Sequence, residues 1–351
     1  MLRQLARLTR PLPSAGADAL AVAVYGDPSD EPVVARESGF EGVACVDDAA
    51  RLLDLLCDLW TRAPDPALER WARGVLEFVL WMQVPDGRWL NFVYDWRGTR
   101  NQAGITSSTG ENFWHARALA GVSNAWLIFG DERALAALHR GLDHAVTRPA
   151  PSDVRAVHLL VGLRLLEHDG FGGMAPTLRR WARDIAGCRI GDRLMNNPDE
   201  RGDPHLWAHV QEGALAEAGR VLGDDDLVDV AVSSARAVWE PVVRGGFDLP
   251  SVSPYDVACA IDCLDRLGKV DSGGPWAELA TDARAWFDRV DGRGRAVYDR
   301  ATGRVADGVD EGRVSENSGA EANIVAACSL IDDALTSVAD AVGLLPSAPV
   351  G

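Results

Sequence analysis

The sequence predicts an all-α chain, an (α/α)6 toroid of about twelve helices with short strands or hairpins in the loops of one face. Three observations carry that expectation. First, six long loops each hand over to a helix whose first turns are polar before the apolar pattern begins: Cys45-Val46-Asp47-Asp48, Ser108-Thr109-Gly110-Glu111-Asn112, Pro151-Ser152-Asp153, Pro204-His205-Leu206-Trp207, Ser253-Pro254-Tyr255-Asp256 and Ser315-Glu316-Asn317-Ser318. Second, each interval between these starts has room for that helix, a short turn and one more helix. Third, the connections are asymmetric. Turns such as Gly130-Asp131 and Gly223-Asp224 are short, whereas several of the alternate loops are long and rich in Trp, Asn, Asp and Tyr. In a toroid the long loops share one face, which is then the functional one. An α-solenoid or an ordinary bundle is the alternative.

The elements follow in order. Residues 1–40 read as an irregular lead-in, and 41–345 as a single barrel domain. Helix 1 starts near Asp47 and buries Leu52, Leu53, Leu55, Leu56, Leu59 and Trp60. Pro64 and Pro66 turn the chain into a helix carrying Leu68, Trp71, Val75, Leu76, Val79 and Leu80. The aromatic-rich loop after Pro85-Asp86-Gly87-Arg88 leads to a third helix from about Thr109 to Phe129, and a fourth reaches about Val146. Further helices are expected from Ser152, from about Ala175, after the polar loop Asn196–Asp203, and near Asp225, Pro254 and Trp276. Residues 295–310 alternate as a hairpin through Thr302-Gly303. The eleventh helix begins at about Glu316, and a last one covers roughly Ile331–Val342.

Composition bounds the function. The 351 residues are 47% hydrophobic and 25% charged, enough for a sizeable core, and the net charge of −17 argues against nucleic acid and anionic membranes as partners. The run Ala19–Val24 is too short to span a membrane and sits wrongly for a signal peptide. The six cysteines are dispersed, without the Cys-x-x-Cys spacing of a zinc site, which points to reduced core thiols and a cytoplasmic location. No glycine-rich phosphate loop and no Gly-x-Ser-x-Gly elbow occurs, and no cofactor is expected.

What the polar helix starts offer suits carbohydrate. Sugar faces stack on planar aromatics, hydroxyls bind carboxylates and amides, and hydrolysis needs a protonated acid plus a second carboxylate. Trp89, Tyr94, Trp96, Trp114, Trp207 and Tyr255 lie on or beside the long loops, with Asn91 and Asp95 among them. Of Asp47 and Asp48, one is expected to cap helix 1 and the other, Asp48, to face the ring. Glu111 follows Thr109-Gly110 two residues into helix 3, close to Asn112, Trp114 and His115; a place there would equally complement the helix dipole. His205 and His209, four apart, are expected on one face of helix 7, one lining the pocket and one packed; the sequence lacks the Glu of His-Glu-x-x-His, so no metal site is assigned. Asp256 is a cap-region acid. Ser315 would cap helix 11 and leave Glu316 and Asn317 free for a ligand, with closure of the ring bringing Asp47 or Asp48 near Glu316.

The segments Val46-Asp47-Asp48-Ala49-Ala50-Arg51, Gly87-Arg88-Trp89-Leu90-Asn91-Phe92 and Ser108-Thr109-Gly110-Glu111-Asn112-x-Trp114-x-Ala116-Arg117-Ala118-Leu119 resemble the six-hairpin glycosidase superfamily. More closely, over roughly residues 40–130, they resemble helical domains attached to bacterial glycosyltransferases, although no transferase domain is present here. The resemblance implies an (α/α)6 barrel and carbohydrate chemistry without naming the reaction. Three functions compete. A glycoside hydrolase-like enzyme would use Asp48 or Glu111 as acid and Glu316 as the carboxylate that activates water. A sugar isomerase or 2-epimerase would move a proton with His115, His205 or His209. A non-catalytic sugar binder would serve a separately encoded glycosyltransferase.

Overall fold

The computed structural model describes residues 1–37 and 41–346; residues 38–40 of the expected lead-in lie outside the described residues. The described residues are predominantly helical, and their strands are only two or three residues long. The helices are α1 (Leu2–Leu8), α2 (Val46–Arg62), α3 (Pro66–Met82), α4 (Phe113–Phe129), α5 (Glu132–Thr147), α6 (Ser152–Leu165), α7 (Ala175–Gly187), α8 (Gln211–Leu222), α9 (Asp225–Ala237), α10 (Trp239–Arg244), α11 (Pro254–Val270), α12 (Trp276–Ala285), α13 (Ala320–Ser329), α14 (Ile331–Thr336) and α15 (Val338–Val342). The chain divides into two compact units. One comprises Met1–Arg148, Val290–Val309 and the chain from Arg313 onward; the other comprises Pro149–Arg289 with Asp310–Gly312.

The first unit is built around α2. Its apolar residues Leu52, Leu53, Leu55, Leu56 and Leu59 are buried, and it packs against α3, α4 and α13. The approach to α4 is close enough to demand glycine: a Cβ on Gly121 would lie 2.8 Å from the Ala50 carbonyl oxygen. Local signals mark the helix ends. Asp65 caps α3, with Pro66 in its first turn, and Gly130 closes α4 in a left-handed conformation at φ 63° before Asp131 caps α5. The alternating stretch after Arg295 forms its hairpin, with Tyr298 opposite Val305 and Asp299 opposite Arg304.

In the second unit α8 packs against α6, α9 and α11. The α8–α9 turn closes on Gly223 in the left-handed region. At α11, Ser253 and Asp256 form a reciprocal capping box, with Pro254 in the first turn.

Several boundaries differ from the sequence reading. The N-terminal segment is not irregular: α1 buries Leu2, Leu5 and Leu8 and packs against α13 and α15, while Thr9–Pro11 pairs antiparallel with Leu20–Val22. α4 starts at Phe113, with Asn112 as its cap, so Glu111 precedes the helix. α8 starts at Gln211, leaving His205 and His209 in the preceding loop; Ala208 there has φ +56°, a left-handed conformation that no helix could run through. α13 starts at Ala320 rather than Glu316, and the last expected helix is broken into α14 and α15.

Candidate active site

The N-terminus of α2 gathers most of the chemistry in the first unit. Neither aspartate caps the helix. The cap is Cys45, whose sulfur accepts the Asp48 backbone N–H at 3.4 Å, and the thiol in turn lies 3.3 Å from Asp48 Oδ2. Cys45 stands opposite Phe92 in a short antiparallel pair, and this brings Asn91 to the helix start. There Asn91 Oδ1 accepts the Asp47 N–H at 3.0 Å, while its amide donates to the Thr106 carbonyl. Asn91 thus binds backbone and holds the site's frame.

Asp47 and Asp48 are neighbours in sequence with opposite electrostatics. Burial would push the Asp47 carboxyl up, but the Arg117 and Arg51 guanidiniums beside it win, and its pKa falls below the ordinary value. Asp48 is 3% exposed, and burial drives its pKa up to about 7 against the opposing Arg51. The charges of Glu321 and Asp47 add to that rise. Arg51 joins the acids: its Nη2 donates to Asp48 Oδ1 at 2.9 Å and to Glu321 Oε2 at 2.6 Å.

Glu321 sits in the first turn of α13, after Gly319. The Gly319 N–H donates to Asp307 at 2.5 Å, yet burial, reinforced by Glu321 and Glu37, holds Asp307 up at about 6. Glu37 is also raised, by burial and then by Glu41 and Glu321. Three acids of this unit, Asp48, Asp307 and Glu37, are therefore harder to ionise than usual, and Arg51 joins the first of them to Glu321. Such a group can hold a proton near neutral pH and lend it to a bound oxygen.

Sequence reasoning singled out Asp47, Asp48 and Asn91, and the structure brings these three together. It did not single out Arg51, Arg117, Asp307 or Glu37, and it passed over Glu321 in favour of Glu316. Arg51 had a signal, since it stands three and four residues beyond the two aspartates, within reach on a helix. α13 does pack against α2, but the carboxylate it brings to Asp48 is Glu321. Glu316 has an exposed side chain bonded to Arg295 at 2.6 Å, and Asn317 is also exposed. Both line a cavity of about 530 Å³ with Arg7, Asp30, Arg295 and Arg304.

The aromatic expectations divide. Trp89 is fully buried and donates to the Val79 carbonyl at 2.8 Å, so it is core rather than a sugar platform. His115 is buried against Trp89, and burial lowers its pKa to about 4. Trp114 is half-buried and donates to the Trp89 carbonyl. Asn112 caps α4, accepting the His115 N–H at 3.1 Å. Asp95 staples its own loop by accepting from Arg97 and Thr99, and Trp96 is half-buried. Glu111 is half-buried, and its charge helps raise the Arg88 pKa.

The second unit holds a different cluster. His205 stacks on the exposed Trp207, with ring centroids 3.9 Å apart, and its Nε2 lies 3.6 Å from Asp153. Asp153 opens α6 and is 5% exposed; burial raises its pKa to about 6. His209 is fully buried, its Nδ1 on Asn196 Oδ1 at 2.6 Å and its Nε2 on Glu212 Oε1 at 3.0 Å. Glu212 also accepts from Ser234 at 2.6 Å and Trp239 at 3.1 Å. Tyr255 is half-buried in the first turn of α11, where Asp256 accepts the Ser253 N–H at 2.7 Å.

No protein-family model matches the chain. A curated relative, a beta-ketoacyl-[acyl-carrier-protein] synthase III of Streptomyces coelicolor, is 29% identical over 168 residues, 42% of this chain. The chain spans about half the length of that relative (52%), and a match of this extent assigns no family. Solved structures are similar over nearly the whole chain. A D-mannose isomerase superposes with a TM-score of 0.67 at 9% identity, covering 96% of both chains. The cellobiose 2-epimerase of Spirochaeta thermophila gives 0.65 at 14% identity, covering 91% of both. A family 88 glycosyl hydrolase of Bacteroides vulgatus gives 0.55 at 9% identity, covering 82% of this chain and 92% of its own. The chain shares the (α/α)6 fold of these solved structures. A glycosyltransferase partner has no support in these comparisons. Among the described residues no helix is long and apolar enough to cross a membrane.

Proposed function

We propose that this chain is a carbohydrate-active enzyme of glycoside hydrolase-like type, with Asp48 as the proton donor and Glu321 as the second carboxylate. One observation carries the reading: Asp48 is nearly fully buried and holds its proton up to about pH 7. A protonated acid poised near neutrality is what departure of a glycosidic oxygen requires. Glu321 shares one guanidinium nitrogen with Asp48, so the two carboxyl groups are near neighbours, their bonded oxygens no more than about 5.5 Å apart. The Glu321 side chain is 45% exposed and can meet both water and the developing positive charge of the sugar ring. Arg117 and Asn91 are positioning residues, acting through Asp47. The six cysteines stand as thiols, which supports a reducing compartment, and we place the protein in the cytoplasm on that ground.

A sugar isomerase or 2-epimerase is the second reading. It is favoured by His205 beside the raised Asp153 and by the names of the D-mannose isomerase and cellobiose 2-epimerase neighbours. One experiment separates the two. The protein is incubated in D2O with short oligosaccharides and with mannose and cellobiose, and both new reducing ends and deuterium at C2 are followed. The hydrolase reading expects new reducing ends, no label, and a loss of about 10²–10⁴-fold in kcat for Asp48→Asn with ligand affinity retained. Label at C2 that depends on His205 and survives Asp48→Asn would replace it with the isomerase reading.

A further inference from the structure

Arg100 is out of keeping with its surroundings. The chain has 52 acidic residues against 35 basic ones, and most arginines discussed above contact a carboxylate. Arg100 has no acidic partner among the described residues. Its guanidinium carbon lies over the Trp81 ring, 3.9 Å from the centroid, and the group donates to the Trp81 carbonyl. Its Nε is buried and has no hydrogen-bond partner. Burial is the one influence acting on its pKa, and it lowers it; no neighbouring acid offsets the cost.

This guanidinium lines a cavity of about 450 Å³ together with Val84, Pro85, Leu90, Gln102, Ser108 and Thr109. The Ser108 and Thr109 hydroxyls and the Gln102 amide likewise make no side-chain hydrogen bond among the described residues. The cavity thus presents one uncompensated cation, three further polar groups and an apolar wall, in a volume suited to a small ligand. The contact with Trp81 anchors the guanidinium, whose fork of N–H groups favours a planar or tetrahedral oxyanion able to take two of them at once.

We propose that the cavity at Arg100 is a binding site for a small organic anion, a carboxylate or a phosphate monoester, with its hydroxyls on Ser108, Thr109 and Gln102. The sugar character of that anion rests on the carbohydrate reading; the anion itself does not. Binding is measured calorimetrically on the full chain with D-glucuronate, D-glucose 6-phosphate, D-glucose, glycerol phosphate and inorganic phosphate. At least one charged sugar should bind at least tenfold tighter than glucose and than inorganic phosphate, and the arm that does so identifies carboxylate or phosphate. Arg100→Lys should weaken it tenfold or more, and Thr109→Val, an isosteric change at a half-buried position, two- to fivefold. Asp48→Asn should leave it unchanged. Glycerol phosphate binding as tightly as glucose 6-phosphate would uphold the anion site and count against the sugar. Glucose or inorganic phosphate matching the charged sugars would overturn the proposal. So would unaltered affinity in a folded Arg100→Lys protein and in Thr109→Val.

Discussion

Two buried ionic clusters, one in each unit, solve the same problem in opposite ways. In the second unit, His209 meets an acceptor with each ring nitrogen, and Glu212 is saturated by His209, Ser234 and Trp239. Burial pushes the Glu212 carboxyl up, but the His209 charge and these donors overcome it, and its pKa is lowered. In the first unit, Asp48 is as well buried, yet its donors are fewer and acids crowd it, so it keeps a proton. A saturated pair is a structural fixture. An acid left short of donors beside a half-exposed partner is a group that can act on something else.

The largest effect expected from this contrast is structural. Glu212→Ala leaves the buried His209, Ser234 and Trp239 groups without their shared partner and should cost about 3–5 kcal/mol in urea unfolding. A loss below about 1 kcal/mol would mean that these buried bonds do not hold the unit together, and the contrast would fail. Within the first unit the adjacent aspartates should respond with opposite sign. Asp48 has a raised folded pKa, so its contribution is fully present below the unfolded value near 4 and is lost as pH rises through about 7. Asp48→Asn should therefore be the more stable protein above pH 7, by about 2–4 kcal/mol, with the advantage gone by pH 4. Asp47 has a lowered pKa, so its contribution is present above the unfolded value and lost as pH falls. Asp47→Asn should lose about 1–3 kcal/mol at pH 7 and less in acid. Equal behaviour of the two variants across pH would dissolve the distinction. The smallest effect belongs to Trp207, which is 46% exposed and stacked on His205. Trp207→Ala should change stability by less than about 1 kcal/mol, and thermal melting would check it.

These contrasts also mark what the sequence can and cannot reveal. The helix starts with local chemistry were legible: Ser253-Pro254-Tyr255-Asp256 reads as a cap and forms a capping box, and the leucines of α2 read as a buried face and are one. Misplaced starts came from polar runs that look like caps but remain loops. Ser315-Glu316 is followed by non-helical chain up to the extended Gly319, and Pro204–Val210 contains a left-handed alanine. Cys45 escaped notice as a cap because a thiol is a poor acceptor, and the aspartates after it offered a stronger local signal. The burial of Trp89 depends on Gly141, where a Cβ would stand 2.6 Å from the indole, a complementarity between positions 52 residues apart that local pattern does not carry. The Asp48–Arg51–Glu321 link likewise joins the two ends of the chain.

The central claim is that Asp48 holds a proton near neutral pH. It is tested most directly by infrared difference spectroscopy of the carboxylic acid stretch, comparing the protein with Asp48→Asn through a pH titration. The account predicts a protonated-carboxyl band that is absent in the variant and disappears with a midpoint near pH 7. A band that titrates near pH 4, with other carboxylates, would contradict it and remove Asp48 as the acid.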